Sequence, residues 1–251
     1  MLQVDLNCDL GESFGAYTIG MDSQVIPFIS SANVACGYHA GDALVMQKTV
    51  AMCREHGVSV GAHPGFPDLQ GFGRRNMVCT PPEVKAYVQY QLGALQAFCK
   101  AGGVPLHHVK PHGALYNMAA KDARLALAVA EAIAEVDENV VLLGLSGSEM
   151  LRAAKQVGIR AASEVFADRA YQQDGTLVPR SQPGAMITDE DVAIARVVRM
   201  VKEGVVTSID GMDVPLQADS ICVHGDGEKA LLFVQKIRAV LTAEGIEIKA
   251  F

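Results

Sequence analysis

Two hydrophobic periods take turns along this chain. Residues 2–8 alternate, with Leu2, Val4 and Leu6 set against Gln3, Asp5 and Asn7, which is the two-residue period of a strand. A strand of small residues follows at 31–37. Leu44, Val45, Thr49, Val50 and Cys53 then recur at helical spacing, between Asp42 as N-cap and Gly57 as stop. The succession repeats with strand 58–62 and helix 80–100, which Thr80, Pro81 and the capping-box acid Glu83 open. It continues with strand 107–112 and helix 122–136, strand 139–144 and helix 146–157, and strand 160–165 and helix 189–203. Strand 220–223 and helix 228–243 complete it. A short helix is expected late in the 13–31 loop, a hairpin over 205–216 and a tail strand at 246–248.

Strand–helix alternation implies a parallel sheet with helices outside it. Seven strands, each followed by a helix, predict an α/β fold of the seven-stranded (β/α) barrel type. A doubly wound open sheet is the alternative. No charge run, low-complexity segment or composition break divides the 251 residues, so one domain spanning 1–251 is expected.

Polar residues collect at the carboxyl ends of these strands: Asn7 and Asp9, His39 and Asp42, His63, Lys110 and His112, Glu164 and Asp168, His224 and Asp226. Barrel enzymes build their sites at that end, from several strands. The densest stretch is His107-His108-Val109-Lys110-Pro111-His112-Gly113. In extended chain His108, Lys110 and His112 share one face, where a structural strand would carry Val or Ile. A solvated surface explains each of these groups alone, and would also explain Asp5 and Asn7. Their common register points instead to a single polar cup.

Three chemistries fit that set. Metal-assisted hydrolysis would use Asp9, His39, His63 or His112 as ligands, although no compact H-x-x-E-H spacing is present. Metal-free hydrolysis would use Asp9, His63 or His112 as base and Lys110 as oxyanion partner. The third is binding without chemistry. Arg74, Arg75 or Arg169 could grip a carboxylate. His224-Gly225-Asp226-Gly227 reads equally as an anion site or as a glycine turn. There is no G-x-x-x-x-G-K-[ST] motif, nor G-x-G-x-x-G after the first strand, so the chain lacks a nucleotide-binding motif of its own.

The formal net charge of -7 argues against nucleic acid or an anionic membrane as partner. The six cysteines include no C-x-x-C pair and are expected to remain thiols, with Cys222 a small buried filler. The first residues show neither a basic segment nor a long apolar run, so a cytoplasmic protein is expected.

Several long stretches carry a resemblance. They are Val4-Asp5-Leu6-Asn7-Cys8-Asp9-Leu10-Gly11-Glu12, Ala32-Asn33-Val34-Ala35-Cys36-Gly37-Tyr38-His39-Ala40-Gly41-Asp42 and Gly61-Ala62-His63-Pro64-Gly65-Phe66-Pro67-Asp68. Further along come Gly73-Arg74-Arg75, His108 to Asn117, Glu164 to Arg169, Pro179-Arg180-Ser181 and the His224 stretch. Together the chain resembles the lactam-utilisation (LamB/YcsF-type) family, that of the A subunits of bacterial 5-oxoprolinase. Cys8 stands where a smaller residue such as Ala would be expected.

The resemblance implies a barrel related to the glycoside hydrolase/deacetylase group. It also implies ATP-dependent opening of 5-oxo-L-proline to L-glutamate, together with B and C subunits. ATP with Mg2+ is then a co-substrate, expected on the partner subunits. Placing roles on residues, Asp9, His63, Lys110 and His112 are the expected catalytic groups. Asn7, His39, Arg75, Asp168, Arg169, His224 and Asp226 are the expected substrate-binding groups. Whether a divalent metal is bound stays open at this point, as do a metal-dependent deacetylase-like hydrolase and a non-catalytic oxoproline-delivery subunit.

Overall fold

The seven barrel strands, rich in small and β-branched residues, pair only in parallel, each with its neighbour around the barrel. In the computed structural model, which describes residues 2–223 and 228–251, the elements run as follows. They are β1 (Gln3–Leu10), α1 (Asp22–Val25), β2 (Ser31–Ala35), α2 (Ala43–His56), β3 (Ser59–His63), α3 (Pro81–Gly102) and β4 (Leu106–Val109). Next come α4 (Gly113–Ala119), α5 (Ala123–Val136), β5 (Val141–Leu145), α6 (Glu149–Val157), β6 (Ala161–Phe166) and α7 (Glu190–Glu203). The chain ends with β7 (Val205–Thr207), β8 (Asp213–Pro215), β9 (Ser220–Val223), α8 (Glu228–Ala243) and β10 (Glu247–Ile248).

The order β1-β2-β3-β4-β5-β6-β9 closes on itself, because β9 also pairs with β1, from Asp5 opposite Ser220 to Cys8 opposite Val223. The seven-stranded barrel is therefore the fold, and the open sheet is excluded. β10 adds a short parallel ladder to the start of β1, as the tail strand was expected to. β7 and β8 form the expected antiparallel hairpin.

Helix ends follow their capping chemistry. Asp42 caps α2 by accepting from the Val45 amide, Thr80 and Glu83 form the capping box of α3, and Gly57 and Gly103 end these helices at φ 67° and 69°.

Four expectations need correction. β1 runs to Leu10, so Asp9 is a strand residue and not part of a loop. β1 is followed only by the four-residue α1 and a single 3-10 turn, so one of the seven strands lacks a full helix. α4 was not anticipated: it is only seven residues long, and its N-cap His112 makes no side-chain cap bond. β4 itself stops at Val109. Lys110 and His112 continue its extended path through amide bonds to the carbonyls of Ala62 (2.9 Å) and Pro64 (2.8 Å).

The inside of the barrel is polar. Val4, Leu6, Cys8 and Leu10 of β1 join the apolar core, so Asp5 and Asn7 point inward, and both are fully buried. A surface face does not explain them. Near the amino-terminal end Asp5 accepts from the hydroxyls of Ser30 (2.6 Å), Ser31 (2.7 Å) and Ser220. Burial outweighs these bonds and pushes the Asp5 carboxyl up to about 6. On the adjacent strands β3 and β4 Gly61 pairs with His108, and a Cβ at Gly61 would sit 2.2 Å from His108 Nε2. The missing side chain is the space that the imidazole occupies.

This interior can be tested at both residues. Asp5 binds its proton more tightly folded than unfolded, so its contribution is complete below its unfolded value of 3.8 and is lost as pH rises through about 6. In paired urea melts, wild type should lose stability relative to Asp5→Asn between about pH 4 and about pH 6.5, and a pH-independent difference would refute this. Gly61→Ala should destabilise by about 1–3 kcal/mol through overpacking, and Gly61→Ala/His108→Ala should cost less than the sum of its parts. Additive thermal shifts would show that the two residues do not compete for space.

Candidate active site

At the carboxyl ends of the strands the barrel opens into a cavity of about 1000 Å³. Its floor is set by Lys110. The ammonium approaches Glu164 Oε1 at 2.7 Å, Asp9 Oδ1 at 3.0 Å, Asn7 Oδ1 at 3.2 Å and Cys222 Sγ at 3.2 Å. An ammonium has three N–H donors, so these acceptors saturate it. Burial alone would lower its pKa, but the attraction of Asp9 and Glu164 more than offsets that and holds it well above the ordinary lysine value. The acceptors are fixed in turn. Asn7 donates to Glu164 (3.1 Å) and Ser220 (2.7 Å), Asn33 donates to Asn7 (2.8 Å) and Asp9 (2.9 Å), and the Tyr116 hydroxyl donates to Glu164 (2.6 Å). Burial raises the Cys222 thiol well above its usual range, which suits the filler role expected for it.

Beside the floor stands a wall of imidazoles. His63 Nδ1 is 2.7 Å from the Lys110 carbonyl and His112 Nε2 is 2.8 Å from the Phe72 carbonyl. A carbonyl only accepts, so both of these nitrogens carry protons, and His63 Nε2 and His112 Nδ1 face each other at 2.9 Å. Asp9 Oδ2 lies 3.3 Å from His63 Nε2. His39 stacks on His112 with ring centres 3.6 Å apart, and its Nε2 lies 3.4 Å from Glu12 Oε1. Burial, reinforced by His63, depresses His112 to about 3, and burial holds His39 well below the ordinary histidine value. Both rings are neutral at neutral pH. The donor atoms of Glu12, His39, His63 and His112 all lie within 4.8 Å of one another, a set that could hold a metal ion. Three of the four expected metal candidates are in it, and Glu12 supplies the carboxylate instead of Asp9.

Arginines line the cavity as well. Arg169 is buried at the cavity, donates to the Val178 carbonyl (2.7 Å) and leaves its Nε without a hydrogen-bond partner among the described residues. Arg74 and Arg180 also line the cavity. Arg75 lines it too, but its guanidinium forks onto Asp68.

The sequence matches the model of the LamB/YcsF family over residues 4–251. The chain belongs to the LamB/YcsF family. It is similar to the 5-oxoprolinase A subunit of Clostridium beijerinckii, 63% identical over 99% of this chain and 97% of that protein. It is likewise similar to the 5-oxoprolinase A subunit of Bacillus subtilis, 58% identical over 100% and 97% of the two chains. The crystal structure of a lactam utilization protein from Thermus thermophilus superposes with a TM-score of 0.94 at 48% identity, covering 100% of both chains. A family 4 carbohydrate esterase from Streptomyces lividans shares the fold alone, at a TM-score of 0.52 and 11% identity over 98% of this chain and 91% of that one.

Within this LamB/YcsF barrel, Asp9, His63, Arg75, Lys110, His112 and Arg169 line one cavity. Asn7 and His39 lie buried behind its surface. Asp168 does not line it, though its charge reaches Arg169 and Arg196. His224 and Asp226 lie outside the described residues. Three residues not expected as site groups belong to it: Glu12, Asn33 and Tyr116. Glu164, expected in the cup from its strand end but given no role, holds Lys110. Glu164 had a signal, since it faces inward with Ala162 and Phe166 in a two-residue period. Tyr116 and Glu12 stand in stretches that carry the resemblance, with no period to aim them. No helix is long and apolar enough to cross a membrane among the described residues.

The Lys110 cluster makes a stability prediction. Lys110→Met strands Asp9 and the fully buried Glu164 without their cation and should cost about 3–5 kcal/mol in urea unfolding. Adding Glu164→Gln should recover part of the loss. A double variant no more stable than Lys110→Met would show that the lysine is not there to neutralise Glu164.

Proposed function

We propose that this LamB/YcsF chain is the A subunit of an ATP-dependent 5-oxoprolinase, which converts 5-oxo-L-proline to L-glutamate together with B and C subunits. What supports this most is its full-length identity of 58% and 63% to proteins named as 5-oxoprolinase A subunits. The polar cup fits the task. A five-membered lactam is an unstrained amide that recloses readily, so its opening needs coupling to ATP. The chain carries no nucleotide motif, and ATP with its Mg2+ is assigned to the partner subunits.

In this reading a partner transfers the γ-phosphoryl group of ATP to the lactam oxygen, releasing ADP. The present chain directs water onto the activated carbon. The water oxygen bonds to that carbon and its proton passes to Asp9, whose carboxylate opens to the cavity next to Lys110. The ring C–N bond then breaks, the nitrogen takes up the proton, and a second water hydrolyses the resulting acyl phosphate to carboxylate and phosphate. The fixed charge of Lys110 stabilises negative charge developing beside it. Arg169 is the carboxylate clamp, because Arg75 is already engaged by Asp68.

Asp9→Asn, assayed in the reconstituted three-subunit complex, should lower kcat by about 10²–10⁴ with KM little changed. Arg169→Leu should raise KM for oxoproline by at least about tenfold. If Asp9→Asn turns over near the wild-type rate while only KM rises, this chain holds and delivers substrate and the chemistry lies on its partners.

A further inference from the structure

We propose that Glu12, His39, His63 and His112 form the binding site for one divalent transition-metal ion of the zinc class. The four donors come from four separate segments, so no local motif announces them. All four side chains are buried: relative exposures are 7% for Glu12, 0% for His39, 1% for His63 and 4% for His112.

The hydrogen bonds settle what these groups offer. The outer N–H of His63 and of His112 is spent on a backbone carbonyl, which leaves both inner nitrogens as bare acceptors 2.9 Å apart. Neither ring nitrogen of the buried His39 has a hydrogen-bond partner among the described residues, and its Nε2 faces Glu12 Oε1 at 3.4 Å. Donor atoms of three rings and a carboxylate therefore gather within 4.8 Å of one another. A proton between His63 and His112 would bridge that pair and leave His39 Nε2 only its long 3.4 Å approach to Glu12. A cation answers all four.

Two separations match one ion. With metal–nitrogen bonds of about 2.0–2.1 Å, ligand atoms on one ion lie roughly 2.9 Å apart at right angles and roughly 3.4 Å apart at tetrahedral angles. His63–His112 is 2.9 Å and His39–Glu12 is 3.4 Å, while His112–Glu12 is 3.9 Å and the whole set lies within 4.8 Å, so the wider pairs would close in on a bound ion. Three imidazoles with one carboxylate select zinc, cobalt, nickel or iron over magnesium or calcium. The carbonyl partners behind His63 and His112 are the kind that orient metal-bound histidines. A Cβ at Gly73 would lie 2.8 Å from both His112 Cδ2 and His39 Cβ, so the stacked pair is held in a cradle that leaves little room to reorient. Glu12, His63 and His112 line the cavity, so the ion has an open side toward a ligand. When bound, such an ion lowers the pKa of a coordinated water.

The test uses the full chain without its partners. Protein stripped by prolonged chelation is incubated with Zn2+, Co2+ or Mg2+, desalted and analysed for metal. About one equivalent of zinc or cobalt per chain, no magnesium, visible cobalt absorption and a raised thermal midpoint are expected. The near-isosteric Glu12→Gln and the ligand deletion His39→Ala, each checked for native circular dichroism, should weaken zinc binding by about 10–100-fold or more. Should His39→Ala fail to fold, Glu12→Gln carries the comparison. Wild-type protein that retains less than about a tenth of an equivalent of each transition metal would overturn the site, as would variants that bind as tightly as wild type. Metal content is read without turnover, so a chain that binds zinc but supports no oxoproline hydrolysis would overturn only the reaction.

Discussion

The constraint on which the rest depends is a charged lysine inside a barrel. Taking an ammonium out of water costs several kcal/mol even after relaxation, and attraction to buried carboxylates offsets it only when the geometry is good. Lys110 meets that condition with partners on other strands: Asn7 and Asp9 on β1, Glu164 on β6 and Cys222 on β9. The registers of these strands are therefore tied to one nitrogen atom. A one-residue slip of β1 would turn Asn7 and Asp9 outward and bring Leu6 and Cys8 in. Such a slip would lose the partners and bury an uncompensated charge, so this cluster penalises misregister more than an apolar interior of the same size would.

Polarity inside the barrel is graded along its axis. At the amino-terminal end Asp5 sits among serine hydroxyls, and its raised pKa lets it shed charge by taking up a proton. One layer up, His108 and the Asn33 and Asn7 amides relay neutral hydrogen bonds. Full charges begin at Lys110, where the strands give way to the cavity. Room for this stack comes from residues that withhold side chains, Gly61 beneath the His108 ring and Gly73 beside the His39–His112 pair. Small residues in these strands are thus the counterpart of the large polar ones facing them.

That pairing explains what could be read from the chain. The two-residue period of β1 puts Asp5, Asn7 and Asp9 on one face, but a wet outer face and a polar barrel interior produce the same alternation. Only closure through β9 distinguishes them, and closure is a long-range fact. Seven strand–helix repeats gave the architecture, and the shared strand-end register gave the cup. Residues beyond the strand ends were harder. Glu12 reaches the site from a connecting segment, where no period fixes direction, whereas His39 was named from its place just past a strand end. Arg75 and Arg169 look alike as loop arginines. The difference between them is Asp68, seven residues from Arg75 and folded back onto it by the turn through Gly71 and Phe72.

The cavity lining carries both signs of charge, and this bears on what it accommodates. Glu12, Asp9, His63 and His112 line it together with Arg74, Arg169 and Arg180. A neutral apolar ligand would leave the buried Arg169 Nε unanswered. A small acid with an electrophilic carbon answers both kinds of group, carboxylate to the arginine and carbon toward Asp9. At about 1000 Å³ the space is at the upper end for a drug-sized ligand, and a single lactam acid would leave most of it to water. Under the proposed reaction the substrate arrives with a phosphoryl group, a second anion for which Arg180 and Arg74 stand at the wall. The excess volume and the excess of arginines over one carboxylate then have the same origin.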